Sequence, residues 1–141
     1  MSKGDTTEND VIKVMFLNNY DPAWRGNANL YLALHTSDPG ETGDQTSNEV
    51  LVGAYASYAR IPVLKTAVGW TIAGNQAQNA ALAQFPQCTG GTGATVTHVS
   101  IGTLASGAGQ ILYSGILNSP LAVSNLIQPQ FPALALTVTE D

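Results

Sequence analysis

The residues able to carry chemistry in this chain are two histidines, a single cysteine, a loose series of carboxylates and two glycine clusters. His35 and His98 each fall in a stretch where apolar and polar residues alternate. Two imidazoles and a carboxylate are enough for a zinc site. Neither His-x-His nor His-x-x-x-His spacing occurs, however, and Cys88 has no second cysteine to share a metal or a disulfide with. Both histidines therefore read as side chains bonded to the backbone or placed at an interface. Asp38, Glu41, Asp44 and Glu49 share one segment. A hard cation needs several oxygens converging at about 2.3–2.6 Å. Their spacing is not that of an EF-hand, and Gly40 and Gly43 loosen the loop, so a solvated acidic loop is expected. The glycines at 90–93 and 107–109 lack the Gly-x-Gly-x-x-Gly order of a phosphate cradle, and no Gly-x-Ser-x-Gly elbow occurs. A set such as Ser100, His98 and Asp38 is an arbitrary draw from many hydroxyls. The expectation is a non-enzymatic protein with no metal and no cofactor.

The elements that would position these residues are short. Residues 1–9 read as a flexible arm. Asn9 or Asp10 can cap a helix over about residues 8–18, where Val11, Val14, Met15 and Asn18 share one side and Ile12 and Phe16 flank it. Pro22 closes that segment. From residue 30 the period becomes two: Leu30, Leu32 and Leu34 alternate with Tyr31, Ala33 and His35. Asp38, Pro39 and Gly40 are turn residues. Further strands are expected over 55–63 (at an edge, because of Pro62), 69–73, 78–85, 95–102, 110–117, 121–124 and 133–139. Strands at such spacing predict an all-β fold, a jelly-roll-like antiparallel β-sandwich with a short N-terminal helix. The division expected is 1–27 for the arm and helix and 28–141 for the sandwich. Trp70 reads as core. Trp24 stands in an Asn- and Gly-rich loop beside Arg25, the setting of an interface anchor. Burial against the helix fits Trp24 equally. The interface residues expected are Val11, Met15, Phe16, Tyr20, Trp24 and Arg25.

Composition narrows the partners. The chain has 141 residues, of which 11% are charged, against about 25% in ordinary soluble domains. An exterior of Ala, Thr, Ser, Asn, Gln and Gly is polar yet easily desolvated, which suits packing against neighbours. The net charge is −5, and the five basic residues do not cluster. Nucleic acid, whose binding needs several cations on one face, is not an expected partner, nor is an anionic membrane. No apolar run approaches the roughly 20 residues of a membrane span. The polar, acidic first ten residues do not read as a signal peptide.

Taken in order, several segments are similar to a family of tailed-bacteriophage virion proteins. They are Leu-Tyr-Leu-Ala-Leu-His-Thr-Ser-Asp-Pro-Gly at 30–40, Tyr-Ala-Arg at 58–60, Trp-Thr-Ile-Ala-Gly at 70–74 and Phe-Pro at 85–86. Thr-His-Val-Ser-Ile-Gly at 97–102, Gly-Ala-Gly-Gln-Ile-Leu-Tyr at 107–113 and Pro-Gln-Phe at 129–131 complete the set. Members are labelled capsid cement or decoration proteins, or tail-fibre-like proteins. The resemblance implies a jelly-roll β-sandwich without enzymatic activity. It implies assembly in the host cytoplasm, a place on the outer capsid surface of the virion, and partners that are the major capsid protein and the chain itself as dimer or trimer. The alternative is a tail or tail-fibre component involved in host attachment. A carbohydrate-binding jelly roll with Trp24 and Tyr31 as stacking platforms is a third reading. The sequence departs from the family pattern at Leu134, a place often held by glycine.

Overall fold

The computed structural model describes residues 1–140. Its elements run β1 (Ser2–Lys3), α1 (Asp5–Phe16), β2 (Asn29–His35), β3 (Ile61–Leu64), β4 (Trp70–Ala73), β5 (Gln76–Asn79), β6 (Ala83–Gln84), β7 (Ala94–Gly102), β8 (Ile111–Val123), β9 (Gln130–Phe131) and β10 (Thr137–Thr139). They form a five-stranded sheet in the order β1-β8-β7-β2-β3, a three-stranded sheet β10-β5-β4, and a pair β6-β9. Every pairing is antiparallel. The expected antiparallel β-sandwich with one short helix is what forms, divided unequally between its sheets.

The alternating leucines set the core. Leu32 and Leu34 of β2 and Val96, Val99 and Ile101 of β7 pack with Trp70, Val138, Phe85 and Leu136 from the opposite side. β2 departs from simple alternation, because Ala33 and His35 are buried as well. The segment after β2 folds back over that second face: Val50 N–H donates to Leu34 O at 2.9 Å and Gln45 N–H to Gly109 O at 2.8 Å. The acidic segment 38–47, expected on the surface, is thus anchored at Gln45, whose side chain is fully buried. Pro62 sits in β3, an edge strand, as its missing N–H requires.

Three boundaries differ from expectation. Of the 55–63 segment only residues 61–63 are strand, as the start of Ile61–Leu64, because residues 52–57 turn instead, with Ser57 at φ 77°. The 110–117 and 121–124 segments are one strand, β8, interrupted where its register against β7 slips between Ile116 and Leu121. Pro120 lies in that slip, and its missing N–H suits a bulge. At the C-terminal end only Thr137–Thr139 is strand, since Leu134 adopts φ +65°, the left-handed region that glycine favours. Asn79 braces this turn: its carbonyl accepts from Leu134 N–H at 2.8 Å and its Oδ1 from Leu136 N–H at 2.9 Å.

Candidate interface

The N-terminal residues are ordered by the sheet. Ser2 and Lys3 pair with Ser114 and Tyr113 of β8, so the flexible arm expected over residues 1–9 is a strand running into a helix. Lys3 and Tyr113 both bond Glu140, tying the two ends of the described chain together. A Cβ on Gly4 would lie 2.7 Å from the Ile111 carbonyl oxygen, so the chain enters the helix at a contact only glycine fits. Gly4, not Asn9 or Asp10, is the N-cap, and Asp5 and Glu8 in the first turn complement the helix dipole. That charge arrangement is why α1 begins three residues earlier than its apolar pattern suggests.

Freed from capping, Asp10 sits two turns in and points inward. Tyr20 O–H donates to its Oδ1, Trp24 Nε1–H to its Oδ2 at 2.9 Å and Gln110 Nε2–H to the same oxygen at 3.1 Å. Burial pushes the carboxyl up. The hydrogen bonds from Tyr20, Gln110 and Trp24 outweigh it and hold Asp10 below its ordinary value. Thr7 lies beside it, donating to Ile111 O at 2.9 Å and accepting from Gln110. The helix therefore meets the sandwich through a threonine and an aspartate. Lys65 completes the bracket by donating to the Trp24 and Arg25 carbonyls at 2.9 and 2.7 Å.

The consequence is a reversed amphipathic helix. With polar groups inward, the apolar residues of its second half face out: Ile12 is 58% exposed, Met15 71%, Phe16 77%, and Leu17 just beyond the helix 54%. Ile12, Met15 and Phe16 are three and four apart and share one side. Of the six expected interface residues, Met15 and Phe16 lie on this face and Val11 is half-buried beneath it. Tyr20 and Trp24 are half-buried and bonded to Asp10, so they also brace the helix that presents this face. Arg25 is exposed and 3.6 Å from Asp21, a surface pair of little energetic weight. Ile12 and Leu17 belong to the face but were missing from that expected set. Ile12 carried a signal, its flanking position.

The other candidates are dispersed. Asp38 accepts from Gly40 N–H at 2.9 Å, Glu41 from Ser2 O–H at 2.7 Å, and Asp44 from Thr46 N–H at 2.7 Å. Glu49 is drawn inward to Arg60, 2.7 Å from Nε to Oε1 and 2.7 Å from Nη2 to Oε2. His35 Nδ1 lies 2.8 Å from Ser47 O and Nε2 2.8 Å from Ser100 Oγ. A carbonyl only accepts, so Nδ1 carries the proton and Ser100 O–H donates to Nε2. His35 and Ser100 are both fully buried, so this pair is a structural lock without access to solvent. His98 faces His35 across β2 and β7, with Nδ1 2.9 Å from Thr97 Oγ1. Tyr31 lies mid-strand opposite Pro62 and Gly102, while Trp24 is held against α1.

The family model described as podophage GP4 fiber I protein gp80 matches residues 2–139. The chain belongs to that family. The match spans both the reversed helix and the sandwich. It bears out the resemblance to tailed-phage virion proteins, and with it a structural role in the virion. No curated protein matches the chain. Among the described residues no helix is long and apolar enough to cross a membrane.

Proposed function

We propose that this chain is a non-enzymatic building block of a phage fibre, joined to neighbouring virion subunits through the outer face of α1. The observation that carries this reading is the helix orientation. A helix free to choose would bury Ile12, Met15 and Phe16. This one instead spends Thr7 and Asp10 on the sandwich and presents the apolar side. A contiguous apolar patch held rigid on a polar frame is the ordinary form of a protein interface core. The low charge of the remaining exterior reduces the desolvation cost of close packing, and linked contacts among subunits multiply. The family's description as a fibre protein supports the same role. Nucleic acid and membrane are not among the proposed partners, since the five basic residues are scattered.

Incorporation into particles tests this. Phe16→Glu, at an exposed position, should leave a folded sandwich that is depleted from purified virions. Wild-type incorporation of Phe16→Glu would overturn the reading. The second reading is a cement protein that decorates the capsid shell by clamping the major capsid protein. Its support is the low charge and the absence of heptads or internal repeats of the kind that build a fibre shaft. Quantified gel bands of purified particles separate the two. A cement protein approaches the copy number of the main shell protein, and a fibre component is a small fraction of it.

A further inference from the structure

The outer face of α1 changes character along its axis. Its second half is apolar, with Ile12, Met15 and Phe16 exposed. Its first half is acidic, with Glu8 exposed and Asp5 half-buried. Asp5, Glu8, Ile12 and Met15 follow at three- and four-residue steps, so charge and apolar groups share one stripe. No ion pair holds Asp5 or Glu8 among the described residues. A third carboxylate joins them from a distant segment. Asp5 N–H donates to Glu41 O at 3.0 Å, which sets the exposed Glu41 beside the start of the helix. Ser2 O–H donates to one Glu41 oxygen, and the carboxylate keeps its charge and its other lone pairs. Lys3, the cation nearest in sequence, is already paired with Glu140. The helix dipole accounts for Asp5 and Glu8, but Glu41 lies off the helix and serves no such purpose.

Both halves must be satisfied by whatever covers the face, and a second copy of this chain fails. Two antiparallel α1 helices that set Lys13 of one against Glu8 of the other also set Phe16 against Asp5, Met15 against Thr6 and Ile12 against Asn9. Shifting the register until Ile12 meets Phe16 restores the apolar contact. Glu8 then lies beyond the last turn of the other helix, out of reach of Lys13. Parallel helices set each charge against its like. The remaining cations are engaged elsewhere. Arg60 is buried on Glu49, Lys65 is bonded to the Trp24 and Arg25 carbonyls, and Arg25 stands beside Asp21. We infer that the α1 face docks a different virion protein, one that presents an apolar patch with Lys or Arg residues to one side. The rise of the helix places those cations about 6–12 Å from the apolar contact, the distance from Glu8 to Ile12 and Phe16. The carboxylates orient the partner, and Ile12, Met15 and Phe16 form the core of the contact. This rests on reading the α1 face as an interface and names the chemistry of its partner.

Charge variants carried by phage particles test the inference, with copies per virion as the measurement. Glu41→Lys is the main variant, because its position is exposed and off the helix, so a fall in incorporation is not a fall in helix stability. Urea midpoints of the isolated chain check that the fold is kept. Glu41→Lys should lower incorporation about tenfold, and Glu8→Lys with Glu41→Lys by more. Glu8→Gln with Glu41→Gln should fall less, because it removes attraction without adding repulsion. Wild-type particles should shed the chain as salt is raised, and the Gln pair should flatten that dependence. Incorporation of Glu41→Lys and of the double Lys variant at the wild-type level, with Phe16→Glu lost, would overturn the basic partner and leave the α1 interface standing. Phe16→Glu incorporating normally would remove the interface reading itself. In sedimentation velocity Phe16→Glu should leave the association state of the isolated chain unchanged. A lower state in Phe16→Glu would overturn the inference by placing a second copy on the face.

Discussion

Glu49, half-buried, and Asp10, buried, are both carboxylates that gather neighbours from distant segments, yet they build opposite surfaces. Around Glu49 the polar groups are closed inside the sandwich. Arg60 pairs with it through two contacts and passes its remaining donors to Leu104 O at 3.0 Å and Gly107 O at 2.8 Å. Tyr58 O–H donates to the same carboxylate and accepts from Leu34 N–H at 3.0 Å, and burial raises the phenol far above its usual range. Around Asp10 the partners are neutral donors, Tyr20, Trp24 and Gln110, and what they fix lies on the outside. The first arrangement makes the fold unique by locking loops onto β2. The second adds little to the core and orients α1 so that its apolar side faces away. The difference teaches that polar burial can serve either to specify a core or to aim a surface, according to what is tethered.

Breaking the inner network should cost most. Arg60→Ala leaves the half-buried Glu49 without its cation, and the loss expected is about 3 kcal/mol in a urea unfolding titration. Arg60→Met with Glu49→Leu, which removes both charges, should recover much of that loss. If the double variant is no more stable than Arg60→Ala alone, the cost lies in packing and not in the orphaned charge.

Next comes the seat of Gln45. A Cβ on Gly109 would stand 1.9 Å from Gln45 Oε1, and one on Gly102 would stand 2.1 Å from Gln45 Cδ. Gln45 Oε1 accepts from Leu104 N–H at 2.9 Å, so the amide is held in place between two glycines. Gly109→Ala should destabilise by about 1–3 kcal/mol through overpacking. Combining it with Gln45→Ala should give less than the sum of the two single losses. Additive losses would show that the glycine serves its own backbone and not the glutamine.

These two positions also mark how far the sequence can be read. The alternation of Leu30, Leu32 and Leu34 and of Val96 with its neighbours has the period of a strand, and those strands form where expected. Period reports which residues alternate, not what lies over the second face. The burial of His35 and Gln45 comes from a loop returning over β2, a long-range contact with no local signature. The helix was legible in existence, with Met15 and Phe16 expected at an interface, but the polar contacts that hold its other side against the sandwich were not legible. Those contacts come from Tyr20, Trp24 and Gln110, the last a hundred residues away from Asp10. Leu134 is the reverse case. A departure from the family's glycine pattern pointed to the local turn, and the backbone there is left-handed.

On the Asp10 side the expected losses are smaller and more local. Asp10→Asn keeps an acceptor but gives up the charge that strengthens three hydrogen bonds, for a loss of about 1–2 kcal/mol. Hydrogen exchange should show it confined to α1 and residues 17–27, with the amides of β7 and β8 still protected. Uniform loss of protection would mean that the helix is part of the cooperative core, and the contrast between the two regions would fail.

A gradual effect separates the regions by pH. Burial lowers the pKa of His35 from 6.5, so the unfolded chain binds a proton there that the native state resists. Stability from this site is complete above about pH 6.5 and declines as pH falls toward the folded-state value, by at most about 1.4 kcal/mol per pH unit. Asp10 is also lowered, from 3.8, but a carboxylate loses its contribution only as pH falls below that value toward its folded pKa. Between pH 6.5 and 4 the sandwich should therefore weaken while α1 stays docked. Urea midpoints followed by far-ultraviolet circular dichroism should drift downward over this interval and become flat in His35→Asn. Exchange protection of α1 relative to β7 should hold until the pH drops below about 4. Release of α1 at pH 5 with an unchanged midpoint would reverse the assignment of the two windows, and with it the claim that one carboxylate network serves the core and the other the surface.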